Sequence, residues 1–189
     1  ISFLECHVQD KVRPSNPETT KFNETYSHIL QTIHAILKLK DIKIVWLWPN
    51  IDAGSDIISK QLRILRENKL IKNISFFKNF SPENYIKLIS NCECLVGNSS
   101  SGIRESSFLS IPVVNIGSRQ KNRERGLNVI DVACNKNQIF NAIIKQIKKR
   151  GKIKKSFLYG DGFACKKIFK LLVKILKKNV SVEKELNYL

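Results

Sequence analysis

The sequence predicts an α/β fold built on a doubly wound parallel sheet. Short apolar runs rich in β-branched residues recur along the chain, as strands covered on both faces require. Longer segments with apolar residues at helical spacing lie between them. The two kinds alternate, which is the pattern of right-handed βαβ units.

Residues 22–39 carry Tyr26, Ile29, Leu30, Ile33, Ile36 and Leu37 on one helical stripe. Residues 43–48 (KIVWLW) follow as a strand, and residues 56–68 present Ile58, Leu62 and Leu65 at helical spacing. A strand is predicted at 74–77 (ISFF). The next helix, 82–90, opens with Ser81-Pro82-Glu83, a capping serine with proline at the first helical position. Strands at 94–97 (CLVG), 112–116 (PVVNI) and 128–132 (NVIDV) come next, and helices at 138–149 and 164–177 complete the set. No internal repeat or low-complexity linker interrupts the pattern.

The 189 residues suit one domain, 1–189. With 42% hydrophobic and 26% charged residues the chain can build a real core. No apolar run approaches the roughly 20 residues of a membrane-spanning helix. There is no visible signal peptide. The chain starts at Ile1 and contains no methionine, so a fragment lacking its natural N-terminus is expected. Cys6, Cys92, Cys94, Cys134 and Cys165 are odd in number and share no repeated spacing, which argues against a disulfide framework. Cys92 and Cys94 are too close for a zinc knuckle, and Cys94 reads as a buried small hydrophobe. A reduced, cytoplasmic setting is the expectation. His7, His28 and His34 show no ligand spacing with any cysteine or carboxylate, so no metal is expected. Neither a Walker A loop nor G-x-G-x-x-G is present, and no cofactor is expected.

The net charge of +17 arises from 33 Lys and Arg against 16 Asp and Glu. Such a balance can attract nucleic acid or phosphate ligands. Here the lysines are spread along the chain, and in the densest block, 145–178, they fall between apolar residues at helical spacing. That is the pattern of a solvated helix face rather than a nucleic-acid surface.

In a doubly wound sheet, ligands sit beyond the carboxyl ends of the strands. This places the loops 49–55 (PNIDAGS), 98–102 (NSSSG) and 117–120 (GSRQ) on one rim. In the second loop, small residues admit a ligand to the backbone and Gly102 can take a positive φ. Helix N-terminal amides and serine hydroxyls would complete an anion site. Ser and Gly are equally ordinary turn and capping residues. Glu105 can favour the helix dipole or close a capping box. Beside an anion pocket, a carboxylate becomes sensible when it accepts hydrogen bonds from a vicinal diol, so the pair suggests a nucleoside diphosphate. Arg119 can reach phosphate oxygens bidentately or stand as a surface arginine. Asn50 and Asp52 can hydrogen-bond sugar hydroxyls or simply make a turn.

The stretches WPNIDAGSD (48–56), GNSSSGIRE (97–105), PVVNIGSRQKNRERG (112–126), NVIDV (128–132) and YGDG (159–162) occur in an order and spacing that strongly resembles the C-terminal half of hydrolysing UDP-N-acetylglucosamine 2-epimerases and their sialic- and legionaminic-acid pathway relatives. The resemblance covers about Asn16 to the end. It implies a glycosyltransferase-B-like architecture of two Rossmann-like halves, of which this chain is the second, UDP-binding one. It further implies a UDP-sugar substrate, a partnering N-terminal domain and a homo-oligomer. Carried over by motif, Ser99 and Ser100 hold the diphosphate, Glu105 the ribose diol, and Arg119 lies near the phosphates. Asn50 and Asp52 lie on the sugar side, and the uracil is expected near the 77–80 loop, at Phe80. The acid and base carboxylates of such enzymes belong mainly to the other half. One departure stands out. Where the family has His-Pro-x-Thr, this chain reads Asn16-Pro17-Glu18-Thr19, and asparagine cannot carry a mobile proton. His7 does not fall at the replacing spacing.

Three further readings belong to different classes. A truncated, non-catalytic nucleotide-binding module is motivated by Asn16 and the non-methionine start. A glycosyltransferase would share the fold and the diphosphate site. A nucleic-acid-binding domain rests on the charge alone and predicts steep salt dependence.

Overall fold

The computed structural model describes residues 3–7, 19–49, 55–67 and 73–177. Six strands form one sheet: β1 (Phe3–His7), β2 (Lys43–Leu47), β3 (Ile74–Phe77), β4 (Cys94–Gly97), β5 (Val113–Ile116) and β6 (Val129–Val132). Their order is β3-β2-β1-β4-β5-β6 and every pairing is parallel. This is the doubly wound arrangement that the alternating pattern predicts. The strand at the centre, β1, is one that the apolar-run criterion does not select, because FLECH contains a glutamate and a histidine. Its membership is fixed by register, with Leu4 opposite both Ile44 and Cys94.

The helices are α1 (Thr19–Leu37), α2 (Ser55–Glu67), α3 (Pro82–Asn91), α4 (Glu105–Leu109), α5 (Lys136–Ile147) and α6 (Ala164–Leu176). Strand periodicity divides the core between the two faces of the sheet. Cys94, Val96, Val114 and Ile116 share a cluster with Ile29, Ile33 and Ile36 of α1, Leu62 of α2 and Ile143 of α5. Leu95 and Val113, the alternate residues of the same strands, pack with Ile89 of α3 and with Ile111. Both β4 and β5 are buried at every position, which is why their sequences read as continuous apolar runs. Burying one such side chain contributes roughly 1.5–3 kcal/mol. Cys94 is buried, as its place in the run predicts.

The opening of α3 follows its sequence signal. Ser81 caps it by accepting from the Asn84 amide at 3.3 Å, and Pro82 takes the first position, where no amide donor is needed. The segment after β4, where a helix start is expected, is broken into two short pieces. Ser100–Gly102 form a 3-10 turn, and α4 is only five residues long. Serine accounts for this brevity: the hydroxyls of Ser106 and Ser107 bond back to the carbonyls of Gly102 and Arg104, a pattern that competes with regular helix.

Residues Ile1–Tyr159 and Gly160–Leu189 form two compact units. The second contains α6. Its start is held by Asp161, which accepts from the Phe163 amide at 3.0 Å and pairs with Lys167 at 2.7 Å.

Candidate functional site

All strands run in one direction, so the loops after β2, β3, β4 and β5 lie along one rim. The chain winds outward from β1 to β3, returns to β4 beside β1, and winds outward again to β6. The switch point lies between β1 and β4, the place at which sheets of this kind bind ligands.

The β4 loop begins with Asn98, which is buried, followed by the half-buried Ser99 and Ser100. Ser99 caps the 3-10 turn in extended conformation, its Oγ accepting from the Ser101 amide at 3.4 Å. The amides of Gly102 and Ile103 bond to the carbonyls of Ser99 and Ser100, and the amide of Arg104 bonds to Ser100 as well. The expectation that helix-terminal amides here stand open to an anion is therefore corrected. From Ser101 to Arg104 they are used inside the turn, so the donors this loop can offer lie at its start, at Ser99 and Ser100.

Gly102 also has a different job from the one expected. Its φ is not positive. A Cβ at this position would lie 3.1 Å from Val113 Cγ1 and 3.2 Å from Leu95 Cδ2. Glycine is needed because the loop lies directly on the apolar side chains of β4 and β5.

Glu105 is exposed and is the first residue of α4, with Arg104 as the cap. A capping box places its carboxylate at the third helical position, so that structural role does not apply to Glu105. Glu105 follows Ser99 and Ser100 on the same rim, after the 3-10 turn.

Arg119 is half-buried in the turn after β5. The proximity of this turn to the serine loop is fixed by its neighbour. Gln120, itself buried, donates from Nε2 to the Asn98 carbonyl at 2.7 Å. The residues flanking this bond are Ser99 and Arg119, so the two predicted phosphate-side loops are brought together. Arg125 closes the rest of the turn. Its Nε faces both Asp131 oxygens at 3.1 and 3.3 Å, Nη2 donates to the Gln120 carbonyl at 2.6 Å, and Nη1 donates to the Arg123 carbonyl. Asp131 also accepts from Asn115 Nδ2 at 2.5 Å. Gln120 and Arg125 are the supporting residues that sequence reasoning missed. The available signal was their place in the same GSRQKNRERG stretch as Arg119.

Phe80 is half-buried and its ring lies 5.0 Å from that of Phe77. β3 and β4 are three strand positions apart, about 14 Å. The crossover helix shortens that distance, because Tyr85 of α3 already touches Ser101, with 2.6 Å between hydroxyl oxygens. Asn16, Asn50 and Asp52 lie outside the described residues. Among the described residues no group of three metal-ligating side chains converges, and no helix is long and apolar enough to cross a membrane.

Residues 16–173 match the family described as UDP-N-acetylglucosamine 2-epimerase. The chain belongs to this family. Among curated relatives, the UDP-N,N'-diacetylbacillosamine 2-epimerase (hydrolyzing) of Legionella pneumophila is 35% identical over 132 residues, covering 70% of this chain and 34% of that protein. The polysialic acid biosynthesis protein P7 of Escherichia coli is 34% identical over 143 residues, covering 75% and 35%. The match thus spans about a third of the length of these relatives. In three dimensions the chain superposes on the Methanocaldococcus jannaschii UDP-GlcNAc 2-epimerase, solved with UDP-GlcNAc and UDP, with a TM-score of 0.63 at 19% identity, covering 92% of this chain and 45% of that one. The chain therefore has the Rossmann-like α/β fold of one half of a glycosyltransferase-B-type epimerase, and it spans a little under half of each solved structure.

Proposed function

We propose that residues 1–189 form the UDP-binding domain of a hydrolysing UDP-N-acetylglucosamine 2-epimerase. The reaction converts UDP-N-acetylglucosamine and water to N-acetylmannosamine and UDP. Elimination of UDP gives a glycal, to which water adds with inversion at the second carbon. The observation that carries this reading is the 2.7 Å bond from Gln120 to the Asn98 carbonyl, which sets the Arg119 turn against the Ser99–Ser100 loop at the switch point.

In this reading Ser99 and Ser100 hold the diphosphate through their hydroxyls, and the Arg119 guanidinium attracts the same oxygens. Glu105 accepts from the two ribose hydroxyls. Phe80 borders the uracil, and Asn50 and Asp52 meet the sugar. These residues bind the leaving group; the acid and base groups come mainly from an N-terminal domain, with the intact protein a cytoplasmic homo-oligomer. Asn16, in the position of the family histidine, can donate a hydrogen bond but not a proton for catalysis.

The likeness to the Legionella protein favours a second substrate reading, UDP-N,N'-diacetylbacillosamine. Product analysis of the whole protein with each sugar nucleotide separates the two. The nucleotide assignment is tested by calorimetric titration of this chain with UDP. Glu105→Ala is expected to weaken binding about 10-fold or more, the scale of hydrogen bonds to a charged acceptor. Equal affinity of the two proteins would remove the ribose site from Glu105.

A further inference from the structure

We propose that Tyr85 is a positioning residue that sets the Ser99 hydroxyl as a donor toward a bound diphosphate, an inference that rests on the nucleotide reading above. Three hydroxyls form a chain. Tyr85 Oη lies 2.6 Å from Ser101 Oγ, and Ser101 Oγ lies 3.1 Å from Ser99 Oγ. Geometry alone allows either direction of donation, and the chemistry of the groups selects one. A phenol is far more acidic than an aliphatic alcohol, and its lone pairs are drawn into the ring, so it is the better donor and poorer acceptor.

Tyr85 therefore donates to Ser101. Ser101 has one proton, and it passes to Ser99. The Ser99 oxygen already faces the Ser101 amide at 3.4 Å. With two donors pointing at its lone pairs, Ser99 keeps one bond to make, the donation of its own proton. Phosphate oxygens are pure acceptors and match that single vacancy. Donation along the chain also polarises each hydroxyl in turn, which strengthens the last one. Because the amides from Ser101 to Arg104 are used inside the turn, the direction of the hydroxyl chain decides whether Ser99 offers its proton to an anion.

The experiment is calorimetric titration of this chain with UDP and, separately, with inorganic pyrophosphate. The proteins are wild type, Tyr85→Phe, Ser101→Ala, Ser101→Thr and the double variant Tyr85→Phe/Ser101→Ala. Tyr85→Phe and Ser101→Ala are each expected to lose about 3- to 10-fold in affinity for both ligands. The double variant is expected to lose no more than either single one, since both break the same chain. Ser101→Thr, which keeps the hydroxyl, is expected to retain affinity. Wild-type affinity in Tyr85→Phe, or additive losses in the double variant, would overturn the proposal. A wild type that binds pyrophosphate but not UDP defeats the nucleotide reading alone, and the chain is then read from pyrophosphate. Binding of neither ligand defeats both.

Discussion

The side-chain amide of Gln120 donates to the backbone carbonyl of Asn98 over 2.7 Å, joining the turn after β5 to the turn after β4 inside the protein. Both residues are buried, so this bond is made away from bulk water. Gln120→Leu is expected to lower stability by about 1 kcal/mol, the net contribution of a buried hydrogen bond. Chemical denaturation checks this. UDP affinity should fall in the same variant, because Arg119 and Ser99 flank the broken bond.

Gly102→Ala places a methyl group 3.1 Å from Val113 Cγ1 and 3.2 Å from Leu95 Cδ2, both on strands buried at every position. The core must give way, and a loss of about 1–3 kcal/mol is expected. A second change, Val113→Ala, opens space at the nearer contact. The two substitutions should therefore be less than additive in a double-mutant cycle measured by denaturation.

Arg125→Lys keeps the charge and loses the fork. One planar guanidinium bonds Asp131, the Gln120 carbonyl and the Arg123 carbonyl together, and a single ammonium cannot reproduce that arrangement. The turn 118–123 should then open more often. Hydrogen exchange of the Lys121 and Arg123 amides, which bond to Ser118 and Gln120, is expected to quicken about 3- to 10-fold.

Glu105→Ala should also change which nucleotide is preferred. If the carboxylate reads the ribose diol, wild type binds UDP more tightly than 2'-deoxy-UDP, and the variant does not. Titration of both proteins with both nucleotides yields the ratio directly. An unchanged ratio would place Glu105 elsewhere in the chemistry.

At the start of α6, the hydrogen bond from Lys167 holds the Asp161 carboxyl below the ordinary aspartate value, helped by the Phe163 amide. A carboxyl whose pKa falls on folding contributes stability above its unfolded pKa and loses it as pH drops through the folded value. Acid should therefore loosen this turn, and the effect should vanish in Asp161→Asn. Because Asp161 is still partly open to solvent at that helix start, the expected readout is local: an NMR titration midpoint for its carboxyl below the ordinary aspartate value.

Much of the fold was legible because it rests on pattern. Runs such as CLVG and VVNI are buried on both sides, and their apolar continuity is the direct result. Ser81-Pro82 announced α3 for an equally local reason. β1 escaped because its place at the centre comes from pairing with β2 and β4, a non-local fact that FLECH does not encode by hydropathy. The serine loop is legible as small polar residues between a strand and the start of a helix, but which of its amides are used is not. Which amides a short 3-10 turn consumes depends on its bonds, not on its composition. Gly102 likewise showed only that a side chain was missing there; Val113 and Leu95 supply the reason.

The place of β1 bears on how the chain reaches this state. Leu4 and Cys94 are register partners, so the central pairing joins segments separated by most of the first hundred residues. Closing so long a loop is slow compared with forming any neighbouring strand–helix–strand unit. During synthesis the pair β2–β3 can assemble early, whereas the seam between β1 and β4 must wait until Gly97 has been made. That seam is also the switch point. The rim assigned to the nucleotide is thus expected to be among the last parts of the sheet to form, and a nascent chain halted before β4 would lack it.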